Sequence, residues 1–124
     1  MKKSIAKKLI SALRSGDYIK GTKMMRTSSN KFCIMGVLCN LHAIAHPDIA
    51  AKQKYRTQYM GNPGNAPDAV KEWAGISLEW PSPKYTIKGR TESLMVHNDY
   101  TGASFNDLAD AIEAEHVTKK KATK

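Results

Sequence analysis

The sequence predicts an α+β fold, mainly helical: a compact single domain with a buried central helix, amphipathic flanking helices and a small antiparallel β element. Three observations carry that expectation. Phe32 to Pro47, FCIMGVLCNLHAIAHP, runs without a formal charge in a chain of which 25% is charged, so it is the segment around which a small domain condenses. The segments at either end repeat apolar residues at helical spacing. Between Trp80 and Val96, prolines, a glycine and short alternating stretches mark strands rather than helices.

Ser4 is placed to cap a first helix whose Ile5, Leu9 and Leu13 share a face, with Gly16 as its stop. On the helical wheel Lys3, Lys7 and Arg14 lie opposite Ile5, with Lys8 and Ser11 beside them, so the helix shows one face to the core and the other to solvent or an anion. Turn residues then punctuate SGDYIKGTKMMRTSSN, leaving Lys23 to Thr27 as a short strand or irregular arm.

The central helix begins near Phe32 to Ile34 and ends before Pro47. Ile34, Val37, Leu38 and Leu41 recur at i, i+3, i+4 and i+7, and Met35, Ala43, Ile44 and Ala45 fill most of the rest, which predicts burial on several sides. Gly36 costs about 1 kcal/mol of helix propensity against Ala, so another backbone is expected to pass close to it. Ile49 to Met60 reads as weakly helical or irregular. Pro67 opens a short helix, Asp68 to Ala74, that turns Val70 and Trp73 inward and stops at Gly75. Beyond Pro81 and Pro83, Tyr85 to Lys88 and Ser93 to Val96 read as two strands joined through Gly89 and Arg90. In the last helix Ser104 caps, Asp107 stands three positions on, and Phe105, Leu108, Ala109 and Ile112 share a face as far as His116.

At 124 residues the chain suits one domain, read as residues 1–116 with a basic disordered tail over 117–124. Its longest uncharged run is shorter than the roughly 18 to 20 apolar residues that cross a bilayer, and Lys7 and Lys8 interrupt any signal-peptide core. No membrane contact and a cytoplasmic location are therefore expected. Cys33 and Cys39, about 120° apart around one helix, are expected to stay reduced.

The net charge of +9 is uneven. Residues 1–31 carry Lys2, Lys3, Lys7, Lys8, Arg14, Lys20, Lys23, Arg26 and Lys31 against Asp17 alone, whereas Ser104 to His116 holds Asp107, Asp110, Glu113 and Glu115 and no Lys or Arg. Such a charge dipole draws polyanions to one end and basic partners, or another copy, to the other. Tyr18, Tyr55 and Tyr59 interleave with Lys20, Lys23, Lys52, Lys54, Arg56 and the tail lysines, a pattern suited to stacking bases and meeting phosphates. No nucleic-acid-binding module is legible.

Two other chemistries are open to the central segment. Cys39, His42 and His46, three and four residues apart, share a helical stripe and could hold zinc with Asp48 or His97 in a zinc-stabilised nucleic-acid-binding module, although the spacing is not a strong zinc signature. Cys33, near a helix N-terminus where amide dipoles favour a thiolate, could with His97, Asn98 and Asp99 form a Cys-His hydrolase or transferase. HNDYTGASF, His97 to Phe105, reads as a tight loop whose Asn98 and Asp99 bond backbone amides. No cofactor is expected.

ALRSGDYIKG (12–21), KFCIMGVLCNL (31–41), VKEWAGI (70–76) and HNDYTGASFNDLADAIE (97–113) together resemble, in the same order, a group of small proteins of unassigned function encoded by tailed bacteriophages. In that pattern a second Cys often stands where Ile34 does and a Leu where His97 does, which makes His97 a poor shared base. The resemblance implies an accessory protein made in the cytoplasm of an infected bacterium. The residues and the resemblance together favour a non-catalytic protein that modulates a host target, with a defence component or nucleic acid among the candidates, and with Lys3, Lys7, Arg14, Tyr18, Lys20, Lys23, Asn98 and Asp99 as its binding residues.

Overall fold

In the computed structural model, which describes residues 1–55, 57–76 and 84–118, the chain is a mainly helical α+β domain. Its elements are α1 (Lys3–Arg14), β1 (Ile19–Lys20), β2 (Lys31–Phe32), α2 (Ile34–Ala45), α3 (Pro47–Ala51), α4 (Asp68–Ala74), β3 (Lys84–Ile87), β4 (Arg90–Ser93), α5 (Leu94–Asp99) and α6 (Phe105–His116). The core joins Ile5, Leu9 and Leu13 of α1, Ile34 to Cys39 of α2, Val70 of α4, Leu94 of α5 and Leu108 and Ile112 of α6.

The amphipathic stripe of α1 is the reason it lies flat on the core. Ile5, Ala6, Leu9, Ile10 and Leu13 are buried while Lys3, Lys7 and Lys8 stay outside. The helix starts one residue before Ser4, which therefore does not cap it; the Lys2 amide instead donates to the Ala74 carbonyl at 2.7 Å, tying α1 to the end of α4.

The central helix is buried on several sides over Ile34 to Cys39, and His42 is inside as well; Ile44, 66% exposed, and Ala45, also exposed, are the expected core residues that face out. Gly36 has the close backbone neighbour expected of it: a Cβ there would fall on the Met25 carbonyl. That carbonyl also accepts from the Cys33 amide at 3.2 Å, so the 21–30 segment is drawn tightly over the start of α2. The segment is an irregular arm, with a single antiparallel bridge from Arg26 to Phe32, and it links β1 to β2, which pair in parallel as Ile19 with Lys31 and Lys20 with Phe32.

The second sheet corrects the sequence reading. β3 pairs antiparallel with β4 from Lys84–Ser93 to Ile87–Arg90, closed by Lys88 and Gly89, both at positive φ. Such a two-residue turn fits strand twist. The expected strand over Ser93 to Val96 is instead the start of α5, because Ser93 caps it by accepting from the Val96 amide at 3.2 Å. His97, Asn98 and Asp99 thus sit in a helical turn, and the loop is confined to Tyr100 to Ser104.

α4 runs as expected, with Val70 buried, Trp73 half-buried and Gly75 left-handed. On α6 the capping box is complete: Ser104 Oγ accepts from the Asp107 amide at 3.1 Å, and Asp107 Oδ2 accepts from the Ser104 amide at 3.0 Å. The Val117 and Thr118 amides, assigned to the tail by the sequence reading, close α6 on the Glu113 carbonyl. Residues 119–124, with their lysines, and the segment 77–83, with Trp80, Pro81 and Pro83, lie outside the described residues, as does Arg56.

Candidate functional site

Four of the predicted binding residues meet at one place. Asn98, at the end of α5, is wholly buried. Its Oδ1 accepts from the Ile34 amide at 3.1 Å, and its Nδ2 donates to the Gly21 carbonyl at 3.0 Å and to Asp99 Oδ1 at 2.8 Å. An amide side chain distant in sequence thereby caps the first turn of α2, where Cys33 makes no side-chain cap of its own. Asp99 Oδ1 also accepts from the Lys23 amide at 2.9 Å, holding Lys23 at a φ of 68°. Lys20 Nζ donates to the Asn98 carbonyl at 2.6 Å, and burial lowers its pKa against the opposing pull of Asp99.

This knot fastens the arm to α2 and α5, so Asn98, Asp99 and Lys20 spend their polar atoms on the fold. Lys23 alone keeps an exposed head, lying 5.3 Å from the centre of the equally exposed Tyr100 ring.

Arg14 is also accounted for. Its guanidinium reaches Asp110 at 2.6 Å and Glu113 at 3.2 Å on α6, and the Glu113 hydrogen bonds lead in raising its pKa. The two poles of the expected charge dipole therefore meet within the molecule. Tyr18 accepts from Asn40 Nδ2 at 2.5 Å and packs edge-on to Phe32 at 5.0 Å, which removes it as a stacking platform. Tyr59 is buried with its hydroxyl on His42 Nδ1 at 2.6 Å. Of the three interleaved tyrosines only Tyr55 stands out in solvent.

The outer face of α1 keeps its lysines in solvent. Lys3, Lys7 and Lys8 are exposed, and among the described residues no carboxylate pairs with them. Lys8 and Tyr18 share a shallow depression with Leu41 of α2. One turn on from Leu41 stands the exposed Ile44. The apolar half of this surface was missed because Leu41 and Ile44 were assigned to the core; their signal was the end of the continuous apolar run at His42.

The residues of both alternative chemistries are buried or already bonded within the fold. Burial raises the Cys33 pKa, outweighing the amides of Gly36 and Met35 that pull it down, and so favours the thiol over the thiolate. His97 is tied at both nitrogens, to the Tyr85 carbonyl at 2.7 Å and to Thr101 Oγ1 at 3.0 Å. The three residues of the zinc stripe are likewise engaged. Cys39 turns to Met25 Sδ at 3.6 Å and burial pushes its pKa up to about 12, while His42 and His46 stack at 4.1 Å against Tyr59 and Trp73. Among the described residues no group of three or more His, Cys, Asp or Glu is placed to hold a metal. No helix among them is long and apolar enough to cross a membrane.

A family model covers residues 1–116, from the first residue of the chain to the last residue of α6. The chain belongs to the family described as Domain of unknown function (DUF8296). The match includes the knot, the lysine face and every described element. No curated protein and no solved structure matches the chain.

Proposed function

We propose that this DUF8296 protein is a non-catalytic binding protein of phage origin, made in the cytoplasm of an infected bacterium. It modulates a host protein by docking on the outer face of α1 and the exposed end of α2. The observation that carries the reading is the depression that Lys7 and Lys8 of α1, without a carboxylate partner among the described residues, share with Leu41 of α2, Asp17 being the one acid that lines it among those residues; Lys3 and Ile44 are exposed on the same two helices. Cations bordering an apolar patch suit a partner whose acidic side chains surround an apolar one, since the charges steer encounter and the patch supplies affinity. Lys20, Asn98 and Asp99 serve this surface indirectly, by fixing the arm against α2.

The test is a pull-down from host lysate with the tagged chain, with and without nuclease. The wild type captures a partner that survives nuclease, and Lys3→Glu, Lys7→Glu and Lys8→Glu together lose it. Capture unchanged by the triple reversal overturns the reading; capture that vanishes with nuclease replaces the protein partner with nucleic acid.

A further inference from the structure

The chain after α3 turns one tyrosine in and another out. Tyr59 is buried, its hydroxyl on His42 Nδ1 at 2.6 Å and its backbone bonded to that of Asn62 at 2.8 and 2.9 Å. Gln53 Nε2 donates to the Tyr55 and Gln58 carbonyls, and the Gln58 amide donates to the same Tyr55 carbonyl at 3.2 Å. The backbone of Tyr55 is thereby held in a turn while its side chain is 64% exposed. Among the described residues no other ring and no cation packs on it.

Tyr55 lines a depression of about 240 Å³ together with Lys52, Lys54 and the exposed Met60. This depression adjoins a cleft of about 400 Å³ beside α2, because Gln53, Lys54 and Gln58 line both, and Arg26 lines the cleft. Lys54 thus stands between Lys52 on one side and Arg26 on the other. No carboxylate is among the described lining residues of either, and none among the described residues pairs with these three cations. Arg14, by contrast, has two acidic partners.

We propose that this strip binds single-stranded nucleic acid, one base stacking on the Tyr55 ring beside Met60 while Lys52, Lys54 and Arg26 meet the neighbouring phosphates. An exposed ring on a fixed turn is a stacking platform, and a row of cations without carboxylates follows a phosphate backbone. A duplex would leave the ring unused, since its bases already stack on one another. An acidic peptide would answer the cations, but its carboxylates have no flat face to lay on the ring. The strip shares no residue with the α1 face and stands independently of the function proposed above.

The experiment is fluorescence anisotropy of the full chain with labelled oligo-dT and oligo-rU of about 12 nucleotides, a length within the footprint of small single-strand binders, beside a duplex of the same length and polyglutamate. At least one single strand binds about 5-fold or more tightly than the duplex and polyglutamate, and the two oligonucleotides tell DNA from RNA as the source. Tyr55→Ala weakens binding about 5-fold or more, the loss expected for one stacked base, and Tyr55→Phe restores it. Lys52→Ala with Lys54→Ala flattens the slope of log affinity against log salt by about 1.4, at about 0.7 per phosphate contact. The loss at Tyr55→Ala is the same in a chain carrying Lys3→Glu, Lys7→Glu and Lys8→Glu, which separates this strip from the α1 face. The proposal is overturned by absence of single-strand binding, by equal binding of duplex or polyglutamate, or by Tyr55→Ala binding as the wild type does.

Discussion

The knot around Asn98 and the outer face of α1 draw on the same kinds of residue and put them to opposite use. In the knot, the side chains of Lys20, Asn98 and Asp99 are bound to backbone groups of α5, of the arm and of α2, and Asn98 is wholly enclosed. On α1, Lys3, Lys7 and Lys8 stand in water with no carboxylate partner among the described residues. A polar residue's role follows from where its partner lies in space, and sequence spacing does not reveal that. Arg14 stands between the two cases, exposed yet paired with α6.

The contrast breaks most sharply in the knot. Gly36→Val forces a side chain into the Met25 carbonyl and should cost about 4 kcal/mol or more, seen as loss of a cooperative urea transition. Asn98→Ala leaves the Ile34 amide and the Gly21 carbonyl without their partner and should cost about 2 to 5 kcal/mol by the same measurement. An Asn98→Ala protein as stable as the wild type would remove the distinction between the two regions.

Smaller effects sharpen it. Ser104→Ala removes the capping box and should cost about 1 kcal/mol. Reversing Lys3, Lys7 and Lys8 together should move stability by no more than about 0.5 kcal/mol per site while lowering the salt at which the protein leaves a heparin column. Arg14→Ala should lower the urea midpoint slightly at low salt and less at high salt, because its ion pairs are exposed.

A pH experiment separates the regions in another way. Burial, with His46 adding to it, lowers the His42 pKa from its ordinary value of 6.5. Below that value the unfolded chain binds a proton that the folded one resists, so the contribution of His42 is present above about pH 6.5 and is lost as pH falls through the folded pKa. Stability should therefore decline below about pH 6.5, and His42→Gln should flatten the decline. A curve unchanged by that substitution would remove His42 as its cause.

Much of the fold was legible because it rests on local patterns. The stripe of α1, the capping box of α6, the αL stop at Gly75 and the crowding at Gly36 each follow from a few neighbouring residues. The Ser93 to Val96 strand was misread because alternation over four residues is also compatible with one helical turn, and the Ser93 cap decides for the helix. The burial of Ile44 was misjudged because an apolar run shows what can be buried, not which of its sides meets a neighbour.

The candidate site was harder to read for the same reason. Arg14 is neutralised by residues 96 and 99 positions away, and Asn98 caps a helix 64 positions earlier. Cys33 stands at a helix start, where amide dipoles favour a thiolate, yet complete burial reverses the outcome. A thiol-reactive dye should leave Cys33 and Cys39 untouched in the folded protein and label both in urea.

The ring cluster at the end of α2 has an optical consequence. Trp73 meets His42 edge-on at 5.2 Å and His46 at 6.0 Å. A protonated imidazole quenches an adjacent indole, so in a Trp80→Phe background the emission of Trp73 should dim as His42 gains its proton. The protein thus contains an intrinsic fluorophore through which acid loosening of this corner can be followed without an added label.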